Sequence, residues 1–177
     1  DLFCARLIAL ATDSELNDFL RSVERRAFKR TAYMVRDNDA ALDIVQDAMI
    51  RLAQHYAHRP AEELPLLFQR ILSNATMDWF RRQKVRNAVL VNLSDFEGDD
   101  ADDSFNLLEA IDGGDGALGA LSAADEVEKA QIFALITEEV QKLPARQREA
   151  FLLRYWEEFD VAETASAMGC SEGSVKT

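Results

Sequence analysis

The chain has 177 residues, of which 48% are hydrophobic, and a formal net charge of −12. This length allows one domain or two small ones with apolar cores of their own. No run of 18 apolar residues occurs and the apolar start lacks a basic leader, so we expect neither a membrane-spanning helix nor a signal peptide.

The charge is unevenly distributed along the chain. Residues 19–91 hold 13 Lys and Arg against 8 Asp and Glu, a net charge of +5. Residues 92–130 hold 12 acidic residues and one basic residue, a net charge of −11. The acidity is therefore concentrated in one segment, and the basic front half is compatible with a nucleic-acid partner.

Three amphipathic helices are predicted in the front half, residues 13–91. Thr12 and Glu15 form a capping-box pattern before the first helix, Asp37 precedes the second, and Pro65 suits the first turn of the third. Their apolar stripes are Leu16, Phe19, Leu20, Val23 and Ala27; Leu42, Val45, Ala48, Met49 and Leu52; and Phe68, Ile71, Leu72, Ala75 and Trp79. These helices predict one small basic bundle.

The end of the third helix is rich in basic and amide side chains. Asn74, Asp78, Arg81 and Arg82 fall close to one helix face, and Lys84 and Arg86 extend the positive charge. Arginine neutralises phosphate, and Asn can pair with an unstacked base edge. Tyr56, Trp79 and Phe80 are candidates for stacking on such a base. The alternative is a solvated basic helix end that favours the helix dipole.

A second basic cluster lies in the first helix. It consists of Arg21, Arg25, Arg26, Lys29 and Arg30. The pattern leaves two interpretations open, a charged outer helix face and a DNA contact.

Residues 92–121 lose helical periodicity. Acidic residues dominate 99–103, and 113–116 is rich in glycine, so the segment is too charged and too flexible to bury a core. We predict a flexible acidic linker of 30 residues, with a relaxed span of about 30 Å and a stretched reach of about 100 Å.

Residues 122–177 predict a second helical domain that ends in a helix-turn-helix. A helix with Val127, Phe133, Ile136 and Val140 on its apolar face is followed by a break at Leu143 and Pro144, then by a helix through Phe151, Leu152 and Tyr155. In the last pair of helices, Ala165 is small enough to let the second helix approach the first. Gly169 suits a left-handed cap at the end of the first helix, and Ser171 suits the N-cap of the second. Val175 faces the core. The alternative is an ordinary helical hairpin inside a core.

Catalytic and metal-binding patterns are missing from the sequence. His55 and His58 have no partner motif, and Cys4 and Cys170 stand in no metal spacing, which suits a reducing cytoplasm. The glycine run at 113–116 lacks the lysine of a phosphate loop. We therefore expect no enzyme activity, no metal and no cofactor.

Three segments together resemble a known family, the small extracytoplasmic-function (ECF) group of bacterial RNA polymerase sigma factors. Residues 39–49, DAALDIVQDAM, are similar to the helix of its conserved region two. Residues 74–82 match the position of the motif for the promoter −10 element, and residues 143–151, LPARQREAF, match the opening of the −35-reading domain. The resemblance implies an all-α fold of two small helical domains joined by an acidic linker.

The resemblance also implies a role for each set of residues. The family's polymerase-binding helix corresponds to Asp39, Asp43, Gln46, Asp47, Met49 and Ile50, which without the resemblance would be interpreted as a solvated helix face. The −10 set is Asn74, Asp78, Arg81, Arg82, Lys84 and Arg86, and the −35 set is Ser171, Glu172, Ser174, Lys176 and Thr177. Leu67 and Thr164 stand where the family often has Trp and Ile, and the recognition helix is expected to continue beyond Thr177.

The implied function is a cytoplasmic transcription initiation factor. Its implied partners are core RNA polymerase, promoter DNA and an anti-sigma factor, with no membrane contact of its own. Two promoter elements about two DNA turns apart lie roughly 70 Å from each other, within reach of the stretched linker. Two rival interpretations remain, a stand-alone helix-turn-helix regulator that acts on duplex DNA and a protein-binding helical adaptor.

Overall fold

The structure, a computed structural model, describes residues 10–90 and 123–176, with side chains placed for 10–88 and 131–176. Within these ranges the chain forms helices, and the only β-type pairing there is an isolated bridge between Leu10 and Pro60. The predicted all-α class with a C-terminal helix-turn-helix is confirmed. The predicted linker at residues 92–121 and Thr177 lie outside the described residues.

Seven α-helices and one short 3-10 helix make up the described part of the chain. The first module contains α1 (Asp13–Val35), α2 (Asn38–Tyr56), the 3-10 turn (Ala61–Glu63) and α3 (Leu64–Leu90). The second module contains α4 (Ala123–Lys142), α5 (Ala145–Tyr155), α6 (Val161–Met168) and α7 (Glu172–Lys176). No described helix is long and apolar enough to cross a bilayer.

Helix starts in the first module follow the predicted caps. The Thr12 hydroxyl accepts from the Glu15 amide at 3.2 Å, and the Glu15 carboxylate accepts from the Thr12 amide at 2.8 Å. These hydrogen bonds hold the pKa of Glu15 below its ordinary value. The Asp37 carboxylate accepts from the Ala40 amide at 2.9 Å and starts α2, as predicted.

The predicted stripe of α2 is wrong at one position. The buried face consists of Ala41, Ile44, Val45, Ala48 and Leu52, whereas Leu42 is 43% exposed. Leu42 stands one position, or about 100° of helix rotation, away from Ala41 and therefore points to solvent. The face of α2 that packs on α1 and α3 is correspondingly narrow, and the opposite face is free for the acidic side chains.

The turn of the predicted helix-turn-helix is confirmed. Gly169 has φ +62° and ψ +41°, and its amide donates to the carbonyls of Ala165 and Ser166 at the end of α6. A capping box that the sequence analysis did not predict, Asp160 with Glu163, starts this helix. Thr164 is fully buried, and its hydroxyl donates to the Asp160 carbonyl at 2.7 Å, which satisfies the polar atom in the core.

Ile136, one of the apolar residues of the predicted helix, is not buried in α4. Ile136 is 40% exposed, as are Ile132 at 48% and Leu135 at 63%, while Val140 near the helix end is buried. Among the described residues, α4 contacts the rest of the fold through its C-terminal part, so only that part buries an apolar side chain.

The two modules pack directly against each other. Helices α1 and α3 of the first module contact α5 and α6 of the second. Val140, Leu152 and Trp156 of the second module belong to the same buried apolar cluster as the core of the first. The structure therefore presents the two helical modules in a closed arrangement.

Candidate functional site

Helix α3 carries the predicted basic and amide cluster on its C-terminal half. Asn74, Asp78, Arg81, Arg82, Lys84 and Arg86 are all exposed there. Asp78 and Arg81 form an ion pair one turn apart, with exposed fractions of 52% and 70%. Such an exposed pair contributes little to stability, so it leaves the arginine available to another anion.

The cluster divides between two depressions on either side of α3. Asp78, Arg82 and Arg86 line a groove of about 570 Å³ between α2 and α3. Asn74 and Arg81 instead line a cleft of about 200 Å³ against the second module. Positions 78, 82 and 86 advance about 40° per four-residue step, which turns Arg86 away from the face of Asn74.

The α2–α3 groove combines two residue sets that the sequence analysis assigned to different partners. Its α2 wall carries Asp39, Asp43 and Asp47, and its α3 wall carries Arg82 and Arg86. Opposite charges thus face each other across an open, solvated groove. A partner that is positive on one side and negative on the other fits such a surface.

The other predicted polymerase-binding residues of α2 lie outside this groove. Gln46 and Ile50 are exposed, with Ile50 at 51%, and Met49 is half-buried against the core. The exposed face of α2 therefore combines three carboxylates with an apolar edge. Protein interfaces commonly have an apolar centre and a polar rim of this kind.

Trp79 and Phe80 are anchored rather than freely exposed. Their rings meet edge to face with centroids 5.1 Å apart, and both pack against the buried core. Tyr56 is likewise partly buried against that core. Trp79 also lines the α2–α3 groove, so among these three it is the aromatic residue that can meet a ligand in the groove.

The predicted −35 set lies on the short helix α7 and at its start. Ser171, Glu172, Ser174 and Lys176 are exposed, and Lys176 pairs with Glu172 at 3.7 Å. The Ser171 hydroxyl accepts from the Ser174 amide at 3.3 Å, which supports the predicted N-cap. Val175 is partly buried.

The second module caps the C-terminal end of α1. The last carbonyls of a helix lack partners within it, and α1 has no basic residue in its last turn. Gln141 donates to the Tyr33 carbonyl at 2.8 Å, and Arg148 donates to the Met34 carbonyl at 3.2 Å. The Tyr33 hydroxyl in turn donates to the Thr137 carbonyl at 2.8 Å.

Burial affects the ionisation of two groups at this contact. It raises the pKa of the Tyr33 hydroxyl and lowers the pKa of the Arg148 guanidinium. Arg148 nevertheless donates to the Gln141 and Leu143 carbonyls at 2.6 and 3.0 Å. The guanidinium therefore joins the end of α1 to the turn between α4 and α5.

A buried ion pair lies at the centre of the contact between modules. Arg30 of α1 and Glu149 of α5 are each 1% exposed, and their side chains approach to 3.3 Å. Glu157 lies 3.7 Å from Arg30 and 3.3 Å from Arg26. Arg30 therefore neither lies on a charged outer helix face nor is accessible to DNA in this arrangement, so both interpretations of the first basic cluster are wrong for this residue.

This pair is absent from the predictions made from the sequence, although the sequence carries a signal for it. Arg30 continues the α1 stripe of Val23 and Ala27 at helical spacing, and Glu149 precedes the buried Leu152 and Leu153 by three and four positions. A charged residue in the apolar stripe of one helix and an opposite charge in that of another predict a buried pair.

Comparison with known proteins adds evidence for both modules. Residues 133–177 match the family model described as Sigma-70, region 4. The RNA polymerase sigma-E factors of Streptomyces avermitilis and Streptomyces coelicolor are each 24% identical over 92% of this chain and 78% of their own length. The ECF RNA polymerase sigma factor SigX of Bacillus subtilis is 26% identical over 82% of this chain and 68% of its own.

Proposed function

We propose that this chain, a member of the ECF group of the bacterial sigma-70 family, divides polymerase binding and promoter reading between its two modules. It is a transcription initiation factor. Its partners are core RNA polymerase and promoter DNA. The bond-forming chemistry belongs to the polymerase, and this chain supplies specificity.

The exposed face of α2 is the proposed polymerase contact. Asp39, Asp43 and Asp47 supply negative charge, and Ile50 supplies an apolar edge. A basic helical surface on the polymerase complements these carboxylates, while Gln46 and Met49 extend the contact. Charge pairs at the rim of an interface act mainly on the rate of association and on partner choice.

The C-terminal half of α3 is the proposed reader of the −10 element. Arg81, Arg82, Lys84 and Arg86 neutralise the DNA backbone, and the Asn74 amide pairs with a base edge that has left the stack. Asp78 orients Arg81 through their ion pair. Capture of an extruded base stabilises melted DNA without any covalent step.

Helix α7 is the proposed reader of the −35 element in the major groove. Ser171, Glu172, Ser174 and Lys176 are presented by the turn at Gly169, and Thr177 follows them in the sequence. Short polar side chains at the start of a recognition helix reach base edges, while Lys176 reaches phosphate.

An anti-sigma partner in the cytoplasm is the proposed regulator.

One observation carries this proposal above the others. The residues that match the sigma region 4 model contain the complete turn between α6 and α7, and the relatives align across both modules. A stand-alone regulator would account for the second module and would leave the proposed polymerase-binding face of the first module unexplained.

In vitro transcription on genomic fragments of the bacterium that carries the gene tests the proposal. Core polymerase and the full chain are supplied separately and together, and the 5′ ends of the transcripts are sequenced. The proposal predicts discrete new start sites that require both components. DNA binding without any polymerase-dependent transcript would support a stand-alone regulator. The absence of both DNA binding and new transcripts would support an adaptor.

A further inference from the structure

We propose that two copies of this chain associate through the exposed side of α4, as an antiparallel helix pair related by a two-fold axis. The partner that covers this side of α4 is thus a second copy of the same chain. None of the residues proposed to contact polymerase or DNA lies on α4. The association is therefore independent of the proposed function.

The exposed side of α4 is an apolar stripe. Ile132, Leu135 and Ile136 are 48%, 63% and 40% exposed. They are three of the eight large apolar side chains that are exposed in the described part of the chain, and they lie within five positions of each other. Single exposed apolar residues are normal on a protein surface, whereas a contiguous group indicates an interaction site.

The rotation of α4 about its own axis is fixed by contacts on its other side. The Gln141 side chain donates to the Tyr33 carbonyl at 2.8 Å, and the Thr137 carbonyl accepts from the Tyr33 hydroxyl at 2.8 Å. Val140 is buried in the core. The apolar stripe therefore cannot reach the core by a rotation of the helix.

The stripe is self-complementary in an antiparallel pair. Each residue of an α-helix advances by about 100°, so Ile132, Leu135, Ile136 and Glu139 share about 100° of the helix surface. A two-fold axis at the level of Ala134 places positions equally distant from Ala134 at the same height. Ile132 then meets Ile136 of the second copy, and Leu135 meets its own counterpart beside the axis.

The charges beside the stripe fit the same arrangement. Glu139 and Lys142 are 70% and 59% exposed, and Glu128 and Lys129 precede the stripe in the sequence of α4. Position 129 and Glu139 are equally distant from Ala134, so they face each other across the pair with opposite charges. Position 128 comes within two residues of the height of Lys142.

These charges also decide between the two possible directions of the second helix. A parallel pair places Glu139 against its own copy and Lys142 against its own copy, so like charges meet. The antiparallel pair places opposite charges together, and the two-fold axis generates each such contact twice. The charge pattern therefore favours a second, antiparallel copy of α4 as the partner.

The size of the stripe predicts a weak association. Three exposed apolar side chains on each copy make a smaller contact than the roughly 800 Å² per partner of a typical stable complex. Repulsion between two chains of net charge −12 weakens the pair further. We expect a dissociation constant of roughly 10–100 µM, so the chain is monomeric at nanomolar concentration.

Analytical ultracentrifugation of the full chain tests the proposal. Sedimentation equilibrium is measured from about 1 to 300 µM, a range that brackets the expected dissociation constant. A reducing agent prevents disulfide exchange through Cys4 and Cys170. The proposal predicts a reversible change from monomer to dimer, with no larger species, because the paired surface is closed by its two-fold symmetry.

Substitution of the apolar stripe tests its position. Leu135→Asp places two carboxylates next to each other beside the two-fold axis and should raise the dissociation constant about tenfold or more. The residue is 63% exposed in the free chain, so the fold itself should be retained. Circular dichroism of the variant checks that its helix content is unchanged.

A charge swap tests the antiparallel direction. Glu139→Lys alone and Lys129→Glu alone each place like charges together at two symmetric contacts, and each should raise the dissociation constant about three- to tenfold. The double variant Lys129→Glu with Glu139→Lys restores opposite charges with reversed sign. Its dissociation constant should return to within about twofold of the unmodified chain.

The matched control is Glu138→Lys, which makes the same charge change one position away from Glu139. Glu138 is 67% exposed and lies outside the predicted pairs. This variant should leave the dissociation constant within about twofold of the unmodified chain. An equal effect of Glu138→Lys and Glu139→Lys would show that net charge alone controls association and would overturn the predicted pairing.

Three further results would overturn the proposal. They are a chain that stays monomeric over the whole concentration range, a dimer that tolerates Leu135→Asp, and a charge swap that fails to restore association. None of these measurements involves polymerase or DNA. Failure of the chain to direct promoter-specific transcription would overturn the proposed function and leave the dimer intact.

Discussion

Arg81 and Arg82 are adjacent in the sequence and face different parts of the surface. Arg81 pairs with Asp78 and lines the cleft against the second module, whereas Arg82 lines the groove beside α2. In the proposed −10 contact, the two side chains would reach phosphates on either side of one melted strand.

Replacement of both residues, Arg81→Ala with Arg82→Ala, should weaken promoter opening about tenfold or more, because a charge-assisted contact contributes roughly 1.5–3 kcal/mol. Permanganate reactivity of unpaired thymines measures the opening. Affinity for core polymerase should not change, since α2 is untouched.

The control for this change is Arg21→Ala with Arg25→Ala, which removes the same charge from exposed positions of α1. It should leave opening within about twofold of the unmodified chain. Equal loss in both double variants would show that net charge matters and that the position on α3 does not.

The acidic side chains of α2 yield a separate prediction. Asp43→Lys with Asp47→Lys should lower the affinity for core polymerase about tenfold, because reversal of an exposed interface charge costs roughly 0.5–1 kcal/mol per residue. Fluorescence anisotropy of labelled chain against core polymerase measures the affinity. Thermal stability should stay the same, since both residues are exposed.

The matched control for the α2 variant is Glu138→Lys with Glu139→Lys on the exposed surface of α4. Unchanged polymerase affinity in the α2 variant would contradict the assignment of this face.

At the scale of the element, local rules predict where most helices begin and end. The start of α1 is fixed by hydrogen bonds between Thr12 and Glu15, and the start of α2 by a hydrogen bond to Asp37. The end of α6 is fixed by the left-handed backbone of Gly169. Each of these features depends on nearby residues alone. These features could therefore be identified from the sequence. The same logic could have found the Asp160 and Glu163 box.

Features that depend on contacts between distant residues could not be predicted in this way. Ile136 has helical periodicity yet stays exposed, because burial requires a neighbouring element that the described part of the chain does not place there. Arg148 caps a helix more than 100 positions away. Helical spacing identifies which face of a helix is apolar. Tertiary packing decides which other element covers that face.

Gly169 offers a direct test of the predicted turn. Gly169→Ala should lower the free energy of unfolding by about 1 kcal/mol, because a side chain disfavours the left-handed backbone. The cost is backbone strain and not a clash, since an added Cβ at Gly169 has no described atom within 4 Å. Urea denaturation followed by circular dichroism measures the change.

Gly173→Ala is the matched control on the next helix. Gly173 does not have a positive φ, and an added Cβ would lie 3.8 Å from the Ser171 hydroxyl, an ordinary contact. This variant should be neutral or more stable by up to about 0.5 kcal/mol, because alanine favours helix. Equal destabilisation by both changes would indicate that side-chain volume, and not backbone geometry, decides at the turn.

At the scale of the whole molecule, charge separates into three regions. A basic front half and a helix-turn-helix with an exposed lysine are joined in the sequence by a segment of strongly negative charge. This arrangement is consistent with a factor that must ignore free DNA until it has bound its polymerase. A polyanion tethered to basic residues lowers their non-specific affinity for phosphate.

Neutralisation of the acidic segment tests this role of charge. The variant Asp99→Asn, Asp100→Asn, Asp102→Asn and Asp103→Asn should raise affinity for random duplex DNA several-fold at low salt, and the gain should shrink as salt is added. Filter binding at two salt concentrations measures it. Equal affinity of both chains at low salt would leave the segment as a plain tether.

Association with core polymerase is the measurement that tests the central claim most directly. The full chain is mixed with bacterial core polymerase and analysed by size-exclusion chromatography with multi-angle light scattering. We predict a one-to-one complex. Failure of the chain to form any complex would contradict the assignment of this molecule as a polymerase specificity subunit.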